Sequence, residues 1–138
     1  GDSEFVPWSQ AMIATKPVID VCGQSGGRYQ LSEVQRLSLE VRDAAQRIIE
    51  AKKATYYGIG MAMVRIARAV LSDENSVLTV SARLWGEYGQ RGVYAGVPCI
   101  VNRNGVDRVL ELGLTEEEQE KFNESCGILE ENYQGLEL

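Results

Sequence analysis

From Ser32 to about Lys53, apolar residues recur at alternating spacings of three and four: Val34, Leu37, Val41, Ala44, Ile48 and Ala51. That spacing predicts one long helix with a single apolar stripe. Ser32 and Gln35 have the spacing of a capping box at its start. The opposite face carries Glu40, Arg42, Asp43, Arg47 and Glu50, with Asp43 and Arg47 spaced for an i,i+4 pair worth about 0.3 kcal/mol. Tyr57 to about Leu71 predicts a second helix, with Ile59, Met63, Ile66 and Val70 as its buried stripe. Gly58 and Gly60 weaken its first turns by about 1 kcal/mol each relative to alanine. Something is therefore expected to approach them closely, either a neighbouring backbone or a flat ligand.

The period then changes to two. From Val77 to Trp85, Leu78, Val80, Ala82 and Leu84 alternate with Thr79, Ser81 and Arg83, the pattern of a half-buried strand. Val93 to Val101 predicts a second strand, with Gly96 and Pro98 marking a bulge or an edge. Asn104-Gly105 predicts a hairpin turn into a third strand, Val106 to Leu112. Thr115 and Glu118 form a capping box ahead of a last helix whose buried stripe is Phe122, Cys126, Leu129 and Tyr133, with a frayed acidic tail from Glu130. Residues 1–30 read as a strand or two with loops, Val18-Ile19-Asp20-Val21 being one apolar run. The fold class expected is α+β, antiparallel strands with long helices.

Composition narrows the chemistry. The 138 residues are 44% hydrophobic and carry a net charge of −6, which disfavours nucleic acid or an anionic membrane as partner. Histidine is absent, which removes every mechanism that needs an imidazole within this chain. Cys22, Cys99 and Cys126 form no CxxC pair; a reducing, cytoplasmic setting and burial as small hydrophobes are expected. Neither the glycines at 58 and 60 nor Gly23-Gln24-Ser25-Gly26-Gly27 complete a nucleotide-binding fingerprint. No metal site and no membrane span is expected.

Several separated strings resemble the lactate/malate dehydrogenase family. GDSEFVPWS at the start is similar to the segment that follows the active-site histidine in bacterial L-lactate dehydrogenases. ATYYGIGMA resembles the start of that family's helix bordering the active site. SVLTVSARLWGEYG, VYAGVPCIVNRNG and VLELGLTEEEQEKF continue the match in order. The chain departs from the pattern at Val6-Pro7, where the proline usually stands one position earlier. Lys53 stands in place of a usual glycine, and Gln10 stands where some members have histidine.

The resemblance implies that residues 1–138 form a single C-terminal substrate domain, without the N-terminal NAD-binding domain. It implies that the proton-transferring histidine immediately precedes Gly1, so that no catalytic group lies in this chain and the isolated fragment is inactive. The parent reaction implied is reduction of pyruvate by NADH to L-lactate, with no NAD expected on the fragment itself. By the same resemblance Thr55 is a substrate-binding residue, otherwise a helix cap or turn residue. Ile59 packs on the nicotinamide ring, otherwise simple core. Asp2, Ser3, Gly58 and Gly60 are supporting residues. A homo-oligomer is expected, formed through the Ser32–Lys53 helix or through the face that would meet the missing domain. A malate or other 2-hydroxy-acid dehydrogenase domain, or a non-catalytic oligomerisation module, are the competing readings. The missing initiator methionine suggests a gene product that begins upstream.

Overall fold

The computed structural model describes residues 3–24, 26 and 30–136. Asp2, one of the expected supporting residues, lies outside them. Contacts gather into two compact units. One comprises the residues up to Ala54 together with Leu112–Phe122; the other comprises Thr55–Glu111 and the residues from Asn123 on.

Among the described residues the first unit opens with an irregular segment and a 3-10 turn, Trp8–Gln10. Two short antiparallel strands follow, β1 (Met12–Ile13) and β2 (Lys16–Pro17), joined through Ala14 at φ 54°. The apolar run at Val18 is a helix, α1 (Val18–Gln24), where the sequence suggested a strand. A four-residue run with three apolar members cannot distinguish the two states by period. The long helix expected over Ser32–Lys53 is two helices, α2 (Leu31–Arg42) and α3 (Ala44–Lys52), separated at Asp43. Its start is set by Gln30 and Glu33, not by Ser32 and Gln35: the Gln30 N–H donates to the Glu33 carboxylate at 3.4 Å. Asp43 is also not paired with Arg47. It pairs with Arg42 at 3.5 Å, and Arg47 donates to the Glu40 carbonyl at 2.7 Å. No residue of α2 or α3 is buried. α3 ends at Lys53, which takes the left-handed conformation at φ 66° that glycine adopts without strain.

The second unit is built on a three-stranded antiparallel sheet of order β3-β4-β5: β3 (Ser76–Trp85), β4 (Arg91–Asn102) and β5 (Gly105–Val109). The pairs Leu78–Cys99, Val80–Val97 and Ala82–Ala95 lie on the face that carries the buried residues. On the other face Arg83 pairs with Tyr94 and lies 4.2 Å from the Trp85 ring centroid. Between β3 and β4 the bulge falls at Gly92 (φ 88°), between the Arg83–Tyr94 and Trp85–Arg91 pairs, and between β4 and β5 the register shifts between Ile100 and Val101; neither lies at Gly96 or Pro98. Pro98 sits in the central strand beside the end of β5. Leu110 donates its N–H to the Pro98 carbonyl at 2.8 Å, and proline has no N–H to return. The Leu110 carbonyl accepts the Tyr88 hydroxyl instead, at 3.1 Å. β5 ends at Val109, earlier than expected, and its turn is Arg103-Asn104 with Gly105 at φ 92° closing it.

α4 (Tyr57–Leu71) packs against β4, with Ala69 fully buried. The stripe expected to be core is not: Ile59, Met63 and Ile66 are exposed. α5 (Glu116–Gln134) begins in the first unit and ends in the second. Phe122 and Cys126 are buried, Leu129 and Tyr133 are exposed, and the tail expected to fray is helical as far as Gln134.

Candidate site at the start of α4

The N-terminus of α4 has no side-chain cap. Its first intrahelical bond is from the Gly60 N–H to the Tyr56 carbonyl, at 2.9 Å. Among the described residues, nothing accepts the N–H groups of Tyr57, Gly58 and Ile59. Three convergent donors at the positive end of a helix dipole favour an anion. Thr55 precedes the Tyr56 cap position, is exposed, and caps nothing. Its hydroxyl is a further donor or acceptor beside those N–H groups.

One turn on, Ile59 is 64% exposed. A Cβ added to Gly58 or Gly60 would meet nothing within 4 Å. The close approach expected from these glycines therefore does not come from a neighbouring backbone among the described residues. The Tyr56 and Tyr57 rings, 4.7 Å apart between centroids, stand exposed beside Thr55. The helix start thus offers an anion-favouring end next to an open apolar surface.

In the first unit, the segment from Ser3 to Gln10 is tied at three points to residues 112–122. Phe5 meets Phe122 edge-to-face with centroids 6.5 Å apart. Gln10 Nε2 donates to the Gly113 carbonyl at 2.7 Å. Glu118 accepts the Ser9 N–H at 3.0 Å and the Ser9 hydroxyl at 2.5 Å. The same carboxylate accepts the Thr115 N–H at 3.0 Å, and the Glu118 N–H donates to Thr115 Oγ1 at 3.3 Å, the expected capping box. Burial raises the Glu118 pKa, but the bonds from Ser9 and Thr115 outweigh burial and hold it below the ordinary carboxylate value. A groove of about 380 Å³ lies beside the same segment, lined by Phe5, Val6, Trp8, Leu37, Leu39 and Val41 among others.

Thr55, Gly58, Ile59 and Gly60 thus come together at one helix end, while Ser3 belongs to the other unit. The tie between Ser9 and Glu118 escapes a sequence reading because 109 residues separate them and Glu118 reads fully as a capping residue. Cys99 and Cys126 are buried, and burial raises both thiols above their ordinary value, which disfavours the thiolate. Among the described residues, no group of three or more His, Cys, Asp or Glu could hold a metal ion, and no helix is long and apolar enough to cross a membrane.

Comparison with known proteins assigns this architecture. The L-lactate dehydrogenase of Geobacillus sp. (strain WCH70) is 47% identical over 131 residues, 95% of this chain and 41% of that protein. The crystal structure of the minor L-lactate dehydrogenase from Enterococcus mundtii, in its ligands-bound form, superimposes with a TM-score of 0.93 at 40% identity. It covers 100% of this chain and 44% of that one. The malate dehydrogenase from Aeropyrum pernix aligns with a TM-score of 0.82 at 26% identity, over 95% of this chain and 42% of that one. The chain thus spans about two-fifths of the length of the curated relatives it matches. The family model for the lactate/malate dehydrogenase alpha/beta C-terminal domain matches residues 1–137, and the chain belongs to that family.

Proposed function

We propose that this chain is the substrate domain of an NAD-dependent L-lactate dehydrogenase that interconverts pyruvate and L-lactate in the cytoplasm. The observation that carries the reading is the uncapped start of α4, with the Thr55 hydroxyl beside it and exposed Ile59 one turn away. The Thr55 hydroxyl, beside the helix end, bonds near the substrate carboxylate and limits the size of the pocket, while an arginine of the preceding domain clamps the carboxylate. Open space beside Gly58 and Gly60, and the apolar side chain of Ile59, fit a flat, uncharged nicotinamide ring. NADH, when bound, supplies a hydride to the carbonyl carbon. Ile59 keeps water from that region and favours the neutral ring. The proton donor is the histidine that the family places immediately before Gly1, acting as a general acid near neutral pH. On this reading the isolated chain does not turn over pyruvate.

The likeness to a malate dehydrogenase favours a second reading, with a dicarboxylate substrate. Kinetics of the protein that includes the preceding domain separate the two. Pyruvate is expected to be preferred to oxaloacetate. Thr55→Val, which keeps the volume but removes the hydroxyl, should lower kcat/KM for pyruvate about 10- to 100-fold. Thr55→Ser should recover most of it, and the affinity for NADH should hold. Preference for oxaloacetate would move the assignment to the malate type; an unaltered Thr55→Val variant would remove Thr55 from the pocket.

A further inference from the structure

Two bonds are left over once α5 is capped: those from the N–H and the hydroxyl of Ser9 to the carboxylate of Glu118. Glu118 is only 8% exposed, and it is a charged residue buried without a cationic partner among the ion pairs of the described residues. Its cost is offset chiefly by hydrogen bonds, with the positive end of α5 and the charge of Lys121 adding to them. Capping α5 uses the Thr115 N–H. The remaining acceptor capacity is spent on two groups of one residue, Ser9, 109 positions away. A helix cap does not require that second set of bonds. Its effect is to fix the backbone of Ser9, and so the end of the segment Ser3–Trp8, against the first turn of α5.

We propose that Glu118 is a positioning residue that acts through Ser9 on the segment leading back to the proton donor. The inference rests on the proposed function, under which that donor adjoins Gly1. Phe5 on Phe122 and Gln10 on Gly113 hold the same segment at both sides of Ser9. Of the three ties, the one through Glu118 alone is charge-assisted, and it holds both the backbone and the side chain of Ser9. A general acid must stand within hydrogen-bond reach of its acceptor, and misplacement by about 1 Å can cost as much as 100-fold in rate. Glu118 touches neither substrate nor cofactor on this account. It limits how far the donor can wander.

The test is a double-mutant cycle in the protein that includes the preceding domain, with Ser9→Ala, Glu118→Ala and the pair. Two readouts are used: steady-state kinetics with pyruvate and NADH, and amide hydrogen exchange of residues 3–10. Each single variant should lower kcat about 10-fold with KM for pyruvate changed less than about 2-fold. The double variant should be scarcely slower than Glu118→Ala alone, because both changes break the bond between the Ser9 hydroxyl and Glu118. Ser9→Thr, which keeps the hydroxyl, should restore most of the rate. Exchange in residues 3–10 should quicken in Ser9→Ala and Glu118→Ala, and not in Ser9→Thr. Additive losses, or exchange unchanged by Glu118→Ala, would overturn the proposal. Loss of the α5 cap alone would leave Ser9→Ala silent, which also overturns it. If the unaltered protein fails to reduce pyruvate, the proposed function falls, while the exchange measurements still decide whether Glu118 holds the segment.

Discussion

The hydroxyl of Thr55 and the carboxylate of Glu118 are polar groups in contrasting situations. Thr55 is exposed next to backbone donors that nothing in the described chain accepts. Glu118 is buried, and every bond it makes is to a neutral donor. The first leaves its hydrogen-bonding capacity open to solvent or ligand; the second is satisfied within the chain. The pH dependence of stability follows from the second. The Glu118 carboxyl is held below its ordinary value of 4.5 in the folded chain. Its contribution is therefore complete above that value and is lost as the pH falls through the lower, folded-state value. Glu74, held low by Ser76 and Arg65, and Glu87, held low by the Trp85 N–H, act in the same direction. Glu118→Gln should destabilise the chain at neutral pH, and the gap from the unaltered chain should narrow in thermal melts as the pH falls below 4.5. A gap that stays constant with pH would show that the charge of Glu118 contributes nothing.

At the scale of elements, the ends decide more than the interiors. α5 begins with a reciprocal capping box, whereas α4 begins with none and its first-turn glycines are poor helix formers. The start of α4 is exposed, so its free N–H groups are open to water or to a ligand. The end of α3 has the opposite defect. Lys53 is held at φ 66°, a conformation that costs a residue with a Cβ about 1 kcal/mol or more. Lys53→Gly should therefore stabilise the chain by about 1 kcal/mol, less the entropy of the added glycine in the unfolded chain. Denaturant titration of the two forms checks this, and a lower midpoint for Lys53→Gly would contradict it. The sheet shows the same economy of backbone groups. Pro98 withholds a donor from the Leu110 carbonyl, and Tyr88 supplies one, itself held at φ 53° by its buried ring and by the N–H bond to Glu111 at 2.6 Å.

For the molecule as a whole, the exposed apolar surface is the dominant fact. Ile59, Met61, Met63, Val64, Ile66 and Leu71 are exposed on α4, and Leu37, Leu39, Val41, Ile48 and Ile49 on α2 and α3. A helix apolar on most sides is ordinarily covered. The isolated 15.3 kDa chain should therefore self-associate, with a sedimentation coefficient that rises with concentration. Met61→Glu with Val64→Glu should reduce that association. A monomer at every concentration would show that these faces are tolerated in water.

Local patterning was enough for what depends on local physics. Alternation of period two placed β3 and its buried face correctly, because side chains on a strand must alternate. Thr115 and Glu118 marked the start of α5 because a capping box closes within four residues. The resemblance of GDSEFVPWS and ATYYGIGMA brought the family into view, and the match to its C-terminal domain bears that out. Periodicity could not tell that the stripe of Ile59, Met63 and Ile66 faces outward. An apolar stripe has the same period whether it meets its own core or another surface. Nor could it show the break at Asp43, which no proline or glycine marks, or the bulge at Gly92, which strand pairing decides. The bond between Ser9 and Glu118 depends on chain closure across 109 residues, and no local rule carries that distance. Short-range sterics and capping are written in neighbouring residues, whereas which surfaces stay open and which distant groups meet is settled only when the chain is folded.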